Sequence, residues 1–260
     1  MVSERDDPVS AAPPVNLRTR LCAGDTVRGL FVATFDATLC EFIATLGWDF
    51  LIADVEHAAI DLKDMENIAR ACERRGMVPT ARIPLATPAD ISRFLDAGAR
   101  GVMVPFVESA EEARQAVAWS KFAPVGRRGL AAPRCGGFGG ELAPEQFVQR
   151  ENQQTLVIVQ IESPRGLDNL AEILAVDGVD VVFIGPTDLS LALGCPQQWS
   201  DPRFRSAVER VAKETLRAGK VFGAYAGSRD MLSWYESLGA RLLAVALEDI
   251  LLEGTHRLRS

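Results

Sequence analysis

Two apolar runs of the sequence end on carboxylates. VIVQIE finishes on Glu162, and VVFIGPTD finishes on Asp188. Two acids at the ends of neighbouring strands can bridge a divalent ion, with waters and substrate oxygens completing its shell. That donor set suits Mg2+ or Mn2+ better than zinc. A cation also offsets the repulsion between adjacent acids. Gln160 stands two residues before Glu162 and so shares its strand face. In DFLIADVEH, Asp54, Glu56 and His57 follow an apolar run, and in VPTARIP Arg82 does the same. A carboxylate beside a histidine fixes its tautomer and raises its basicity, which a general base near neutral pH requires. An arginine at such a place can hold an anionic oxygen. The turn Gly185-Pro186-Thr187-Asp188 precedes a helix, whose first backbone N–H groups suit a carboxylate ligand. Plainer roles stay open. Either acid could cap the next helix or pair with an arginine, His57 could be a surface histidine, and Arg82 could sit in a surface ion pair.

These residues work together only if one fold brings them to one rim. The sequence predicts strands over 28–35, 49–56, 78–84, 101–106, 155–162, 179–185, 220–226 and 241–247. Amphipathic runs separate them. Asp61 is a plausible N-cap for the helix LKDMENIARACERRG, and Ser109 with Glu112 matches a capping box. The strands are nearly continuous in apolar residues, as in a parallel sheet covered by helices on both faces. Eight β-then-α units favour a single (β/α)8 TIM barrel of α/β class over an open doubly wound sheet. No GxGxxG follows the first strand, which weakens a dinucleotide-binding reading. In a parallel barrel the active site lies at the C-terminal ends of the strands, where the polar residues above all fall. The stretch 124–144 has no period and is rich in Gly, Pro and Arg; long loops of this kind are often functional.

The 260 residues fit one domain over 18–260, preceded by a charged, Pro-rich segment, 1–17, expected to be a mobile tail. A net charge of -7 argues against a nucleic-acid or anionic-membrane partner. No apolar run approaches the roughly 20 residues that span a bilayer. The five cysteines are scattered with no CxxC pair, which suggests reduced thiols and a cytoplasmic location. With only two histidines, far apart, a zinc site is not expected.

The segments GWDFLIADVEHAAIDL, LDAGARGVMVPFVESAEEARQAV, PVGRRG, VQIESPRGLDNLAEIL and GVDVVFIGPTDLSLALG resemble the HpcH/HpaI aldolase family over about residues 27–255. These are class II, metal-dependent pyruvate aldolases of the phosphoenolpyruvate/pyruvate barrel superfamily. The resemblance implies that Glu162 and Asp188 ligate a divalent metal (Mg2+ or Mn2+, or Co2+), with Gln160 beside it. It implies that Arg82 contacts the pyruvate carbonyl oxygen and that His57 with Asp54 forms an acid–base dyad. It also implies that Asp96 approaches a neighbouring subunit's site, and that the backbone of Gly185, Pro186, Thr187 and Asp188 receives the pyruvate carboxylate. The implied reaction splits a 4-hydroxy-2-oxo acid into pyruvate, or a related 2-oxo acid, and an aldehyde, or runs in reverse. The metal supplies Lewis-acid stabilisation of the enolate. The implied assembly is a homo-oligomer, a hexamer built as a trimer of dimers. No lysine stands at a convincing strand end for Schiff-base chemistry. The sequence departs from the family at Val55, in the loop 130–140, and at Ala246 and Glu248 in AVALED. The loop is expected to shape the aldehyde pocket.

Two rival readings follow. One is a citrate-lyase β-like or malyl-CoA-type carbon–carbon lyase, which would need a basic groove for CoA phosphates; Arg127, Arg128 and Arg134 are the only candidates. The other is a barrel that binds an oxo acid as sensor or scaffold without chemistry; the set Asp54, His57, Arg82, Glu162 and Asp188 argues against it, because pure binding requires no base.

Overall fold

The structure, a computed structural model, describes residues 16–34, 36–84 and 86–259. Most of the expected tail, 1–15, lies outside the described residues. Its last two positions belong to the fold: Asn16 caps α1 (Leu17–Cys22), and Leu17 is buried.

The chain continues through β1 (Val27–Val32), α2 (Ala37–Ala44), β2 (Phe50–Asp54), α3 (Leu62–Glu73), β3 (Val78–Arg82), α4 (Pro88–Ala97), β4 (Gly101–Val104) and α5 (Ala110–Ser120). A 3-10 segment at Arg134–Gly139 precedes α6 (Pro144–Gln154), β5 (Leu156–Ile161), α7 (Pro164–Asp168) and α8 (Leu170–Leu174). Then come β6 (Val181–Ile184), α9 (Pro186–Ala192), α10 (Pro202–Arg217), β7 (Val221–Tyr225), α11 (Arg229–Ser237), β8 (Leu242–Ala246) and α12 (Leu247–Arg259). The eight strands pair in parallel in chain order, and β8 closes onto β1. The expected (β/α)8 barrel is the observed architecture.

The period of two along each strand divides its side chains between two cores. One set, including Phe50, Ile52, Ile158 and Phe183, fills the barrel interior; the other, including Leu51, Val159 and Val182, packs beneath the helices. Close packing inside needs small residues at some inward positions. A Cβ on Gly29 would fall 2.4 Å from the Phe50 ring. Leu17 and Leu21 of α1 join the interior set, so this helix closes the N-terminal mouth of the barrel. Arg18 pins it to Asp180 at 2.7 Å, and Arg20 pins it to Asp49 at 2.5 Å.

Several expected boundaries shift. The strands expected over 49–56 and 155–162 stop at Asp54 and Ile161, because their polar ends leave the ladder for the loops above. The helix expected over GLDNLAEILA divides into α7 and α8 at Asn169. Asp61 caps α3 in a full capping box with Asp64. Ser109 accepts from the Glu112 N–H, but the Glu112 carboxylate accepts from the Glu108 N–H, so only half of that box forms.

Candidate active site

The inward face of each strand carries past the last ladder residue into the C-terminal mouth. On β5 the series Leu156, Ile158, Gln160 ends in Glu162; on β2 Phe50, Ile52 ends in Asp54; on β3 Val78, Thr80 ends in Arg82. Together with Phe31, Phe183, Gly185, Tyr225 and Ala246 they surround a cavity of about 320 Å³. Asp54, His57, Arg82, Gln160, Gly185, Pro186, Thr187 and Asp188 all line it, and Glu162 lies against its floor beside Gly185.

Glu162 is only 2% exposed. Its Oε1 accepts from the Phe106 N–H at 2.9 Å, and its Oε2 accepts from Gln160 Nε2 at 3.3 Å. Phe106 makes this bond from a left-handed backbone conformation (φ 49), unusual for a bulky residue. Burial pushes the Glu162 carboxyl up to about 7 against the Phe106 hydrogen bond, and the charges of Asp188 and Glu56 add to the rise. Gly185 makes room for this carboxylate, since a Cβ there would fall 2.0 Å from Oε2.

Neither acid caps a helix. Ser163 is the N-cap of α7, and Gly185 is the N-cap of α9, which has no side-chain cap bond. Among the described residues neither Glu162 nor Asp188 forms an ion pair, whereas most other buried acids do.

Arg82 grips Asp54 with two bonds, Nε to Oδ1 at 3.0 Å and Nη2 to Oδ2 at 2.7 Å. Its Nε also lies 3.3 Å from Glu56, and its guanidinium sits 5.0 Å from the centre of the Phe31 ring. No acceptor among the described residues is bonded to Nη1. The expected His57–Asp54 pairing takes another form. Asp54 Oδ1 accepts from the His57 backbone N–H at 3.3 Å, while the imidazole Nε2 faces Glu56 Oε2 at 3.7 Å. The cause is Arg82, which occupies both Asp54 oxygens. Burial raises the Glu56 carboxyl above the usual carboxylate range, with Arg82 and His57 opposing the shift. The His57 side chain is 58% exposed and free to meet a substrate.

Asp96 stands apart from this cavity. It lies on the last turn of α4 and accepts from Arg128 Nη2 at 2.7 Å. The loop 124–144, whose part 130–140 was expected to shape the aldehyde pocket, contributes no residue to the lining of this cavity. Its Cys135 and Leu142 pack on Phe122 and Phe147, while Val125, Leu130 and Phe138 are exposed. The three arginines considered for CoA are committed elsewhere. Arg127 stacks on Trp119, Arg128 is buried against Asp96, and Arg134 forms two bonds of 3.0 Å to Glu73.

Phe31, Phe183 and Tyr225 were not anticipated as cavity residues. Their signal was present in the alternation, because each is the last or nearly last inward residue of its strand. The Phe106 N–H had no such signal, since every residue but proline carries one.

Among the described residues there is no group of three or more His, Cys, Asp or Glu side chains that would hold a metal unaided. The residues present nevertheless fit a hard cation completed by water and substrate oxygens. Two carboxylates lie close enough to raise Glu162, neither is neutralised, and the buried Gln160 Oε1 beside them has no hydrogen-bond partner.

Comparison with known proteins gives a consistent picture. Residues 28–252 match the HpcH/HpaI aldolase/citrate lyase family. The chain is 35% identical over 246 residues to a hydroxypyruvate/pyruvate aldolase of Roseovarius nubinhibens, covering 95% of each. It is 34% identical over 241 residues to a 2-keto-3-deoxy-L-rhamnonate aldolase of Escherichia coli, covering 90% of this chain and 87% of that one. A crystal structure of a HpcH/HpaI aldolase/citrate lyase family protein from Burkholderia cenocepacia superposes with a TM-score of 0.87 at 34% identity, covering 94% of this chain and 99% of that one.

Proposed function

The chain belongs to the HpcH/HpaI aldolase/citrate lyase family and is an aldolase, a carbon–carbon lyase; we propose that it cleaves or forms 4-hydroxy-2-oxo acids through a pyruvate-type enolate at the cavity just described. The observation that carries this assignment to particular residues is the pair of buried Glu162 and half-buried Asp188, neither in an ion pair among the described residues, at a cavity that also holds Arg82 and His57.

Glu162 and Asp188 would hold a divalent cation (Mg2+ or Mn2+, with Co2+ also suited), which would supply Lewis-acid stabilisation of charge on the 2-oxo oxygen. The protein's own groups do the rest. The backbone N–H groups of Thr187 and Asp188, in the first turn of α9, have no partner within the helix and are left for the substrate carboxylate. Arg82 Nη1 donates to the 2-oxo oxygen, and Asp54 holds the guanidinium in place. His57 removes the proton of the 4-hydroxyl, with its imidazole Nε2 facing Glu56 Oε2 at 3.7 Å. The C3–C4 bond then breaks, its electron pair passes to the 2-oxo carbonyl as an enolate, and the aldehyde leaves. Protonation at C3 gives the free 2-oxo acid. Aldol addition is the same sequence reversed.

Asp96 lies outside its own chain's cavity, and we assign its part to a neighbouring subunit's site in a homo-oligomer, a hexamer of three dimers. The exposed Ile250, Leu251, Leu252 and Leu258 on α12 support a subunit contact. Light scattering tests it. No described helix is long and apolar enough to cross a membrane, and five unpaired cysteines suit a cytoplasmic location.

The decisive assay follows pyruvate release from a 4-hydroxy-2-oxo acid by EDTA-treated protein, before and after Mg2+ or Mn2+ is added. Turnover should depend on the ion and be lost in Glu162→Ala and Asp188→Ala. Metal-independent turnover, or full activity in both variants, would overturn the assignment.

A further inference from the structure

Building on the aldolase reading, the cavity also defines what its aldehyde half can be. The wall opposite Arg82 comes from β7 and β8, since β7 lies four strands from β3 around the closed barrel. Tyr225 is the last inward residue of β7, Ala246 is the last residue of β8, and Glu248 stands in the first turn of α12; all three line the cavity. The Tyr225 ring is held edge-on against Phe31, with centroids 6.0 Å apart. Its hydroxyl donates to Asp249 Oδ2. That bond uses its single proton and leaves the phenol oxygen to the cavity only as an acceptor. Burial and Asp249 both hold the phenol protonated, well above its ordinary range. Glu248 is exposed at the mouth, and its carboxylate likewise only accepts. The side chains of this wall therefore offer acceptors and no donor.

The supply of positive charge is just as one-sided. Among the described cavity residues Arg82 is the only arginine or lysine, and its Nε and Nη2 already serve Asp54. One further donor atom and the cation site are used by the oxo-acid half. A second carboxylate, on the aldehyde half, would meet Glu248 with no further arginine or lysine among the described cavity residues to pair it. A hydroxyl group would instead find two acceptors waiting for its proton.

We propose that Tyr225 and Glu248 are specificity-determining residues that select a short, neutral hydroxyaldehyde as the aldehyde half of the substrate and reject aldehydes bearing a carboxylate. The hydroxyl nearest the aldehyde carbon donates to the Tyr225 oxygen or to Glu248. The Tyr225–Asp249 bond keeps the phenol proton away from the cavity, so Asp249 acts as a positioning residue.

The test uses the Mg2+-loaded enzyme with pyruvate as donor. Four acceptors are compared by kcat/KM: glycolaldehyde, glyceraldehyde, propanal and succinic semialdehyde. Exchange of the pyruvate C3 protons in D2O, measured in the same preparations, reports enolate formation without an acceptor. The two hydroxyaldehydes should exceed succinic semialdehyde by tenfold or more. Glu248→Gln should shrink that ratio at least threefold, and Tyr225→Phe should shrink the advantage of glycolaldehyde over propanal. Succinic semialdehyde matching or exceeding the hydroxyaldehydes would overturn the proposal, as would ratios unmoved in both variants. In either case persisting C3 exchange would leave the aldolase reading standing, whereas absent exchange would remove both.

Discussion

Replacing Gly185 by alanine should damage cation binding while sparing the fold. The backbone at Gly185 (φ -90, ψ 92) is open to alanine, so the conflict is confined to the new methyl group. Its Cβ would stand 2.0 Å from Glu162 Oε2 and 3.1 Å from Gln160 Nε2. A normal contact requires the carboxylate to retreat by more than about 1 Å, beyond what a hydrogen bond of ordinary length absorbs. Retreat breaks or bends the 2.9 Å bond from the Phe106 N–H. A bond to a charged acceptor contributes about 1.5–3 kcal/mol, and a factor of ten in affinity corresponds to about 1.4 kcal/mol. The Mg2+ or Mn2+ concentration for half-maximal activity should therefore rise about 10- to 100-fold. Thermal unfolding should shift by only a few degrees, because loss of glycine freedom in the unfolded chain returns about 0.4–1 kcal/mol. Gly129→Ala is the control, as a Cβ there meets nothing within 4 Å. A metal-activation curve for Gly185→Ala that overlays the wild type, at equal kcat, would refute this account of how Glu162 is seated.

Three further outcomes are expected. Arg82→Lys gives up the two-bond grip on Asp54 and the donor to the 2-oxo oxygen, and should lower kcat by about 10²–10³, the usual loss for a transition-state donor; a loss below fivefold contradicts that role. Because burial raises Glu162 to about 7, its proton competes with the cation, so metal affinity in a calorimetric titration should weaken steadily as pH falls from 7.5 to 5.5, and a flat profile contradicts it. Burial lowers Lys121 to about 8, with its Nζ donating to the carbonyls of Asn152 and Thr155. The unfolded chain then holds a proton that the folded chain releases between about pH 8 and the ordinary lysine value near 10.4. Stability gains from this group as pH rises through that window, with a slope up to about 1.4 kcal/mol per pH unit, and urea titrations at pH 7.5 and 9.5 should show Lys121→Met losing that gain.

The barrel was legible because its signal is repeated eight times. Each apolar run is long enough for a buried strand, and each following run carries a helical face, so an error at one boundary leaves the count intact. The strand-end polar residues were legible for the same reason, since alternation carries Gln160 and Glu162, or Thr80 and Arg82, to one side. Pairing among them was not. Asp54 and Glu56 both stand near His57 in sequence, and only the reach of Arg82 from the next strand decides that the imidazole faces Glu56. The placement of the loop 124–144 was equally hidden, because it depends on contacts with Phe122 and Phe147 that no local pattern encodes. The plug helix α1 was missed because six residues are too few to display a helical period.

The two mouths of the barrel handle acids in opposite ways, and the contrast bears on function. At the N-terminal mouth each strand-start acid is matched. Asp180 takes Arg18 and the Val157 N–H, and Asp49 takes Arg20 and the Arg28 N–H. The nearby buried Glu151 takes Arg100 at 3.0 Å. Such pairing is what stability alone requires, since a buried charge without a partner costs several kcal/mol. At the C-terminal mouth the one arginine among the described cavity residues goes to Asp54 and Glu56, and Glu162 is left with only an amide and a backbone N–H. Replacing Glu162 by a neutral residue of similar shape would suit the apo fold better, because burial already pushes its carboxyl toward the protonated form. A carboxylate at a position that folding alone disfavours fits the proposal that a cation supplies its counter-charge. The unpartnered Gln160 Oε1 beside it and the missing Cβ at Gly185 point to the same place.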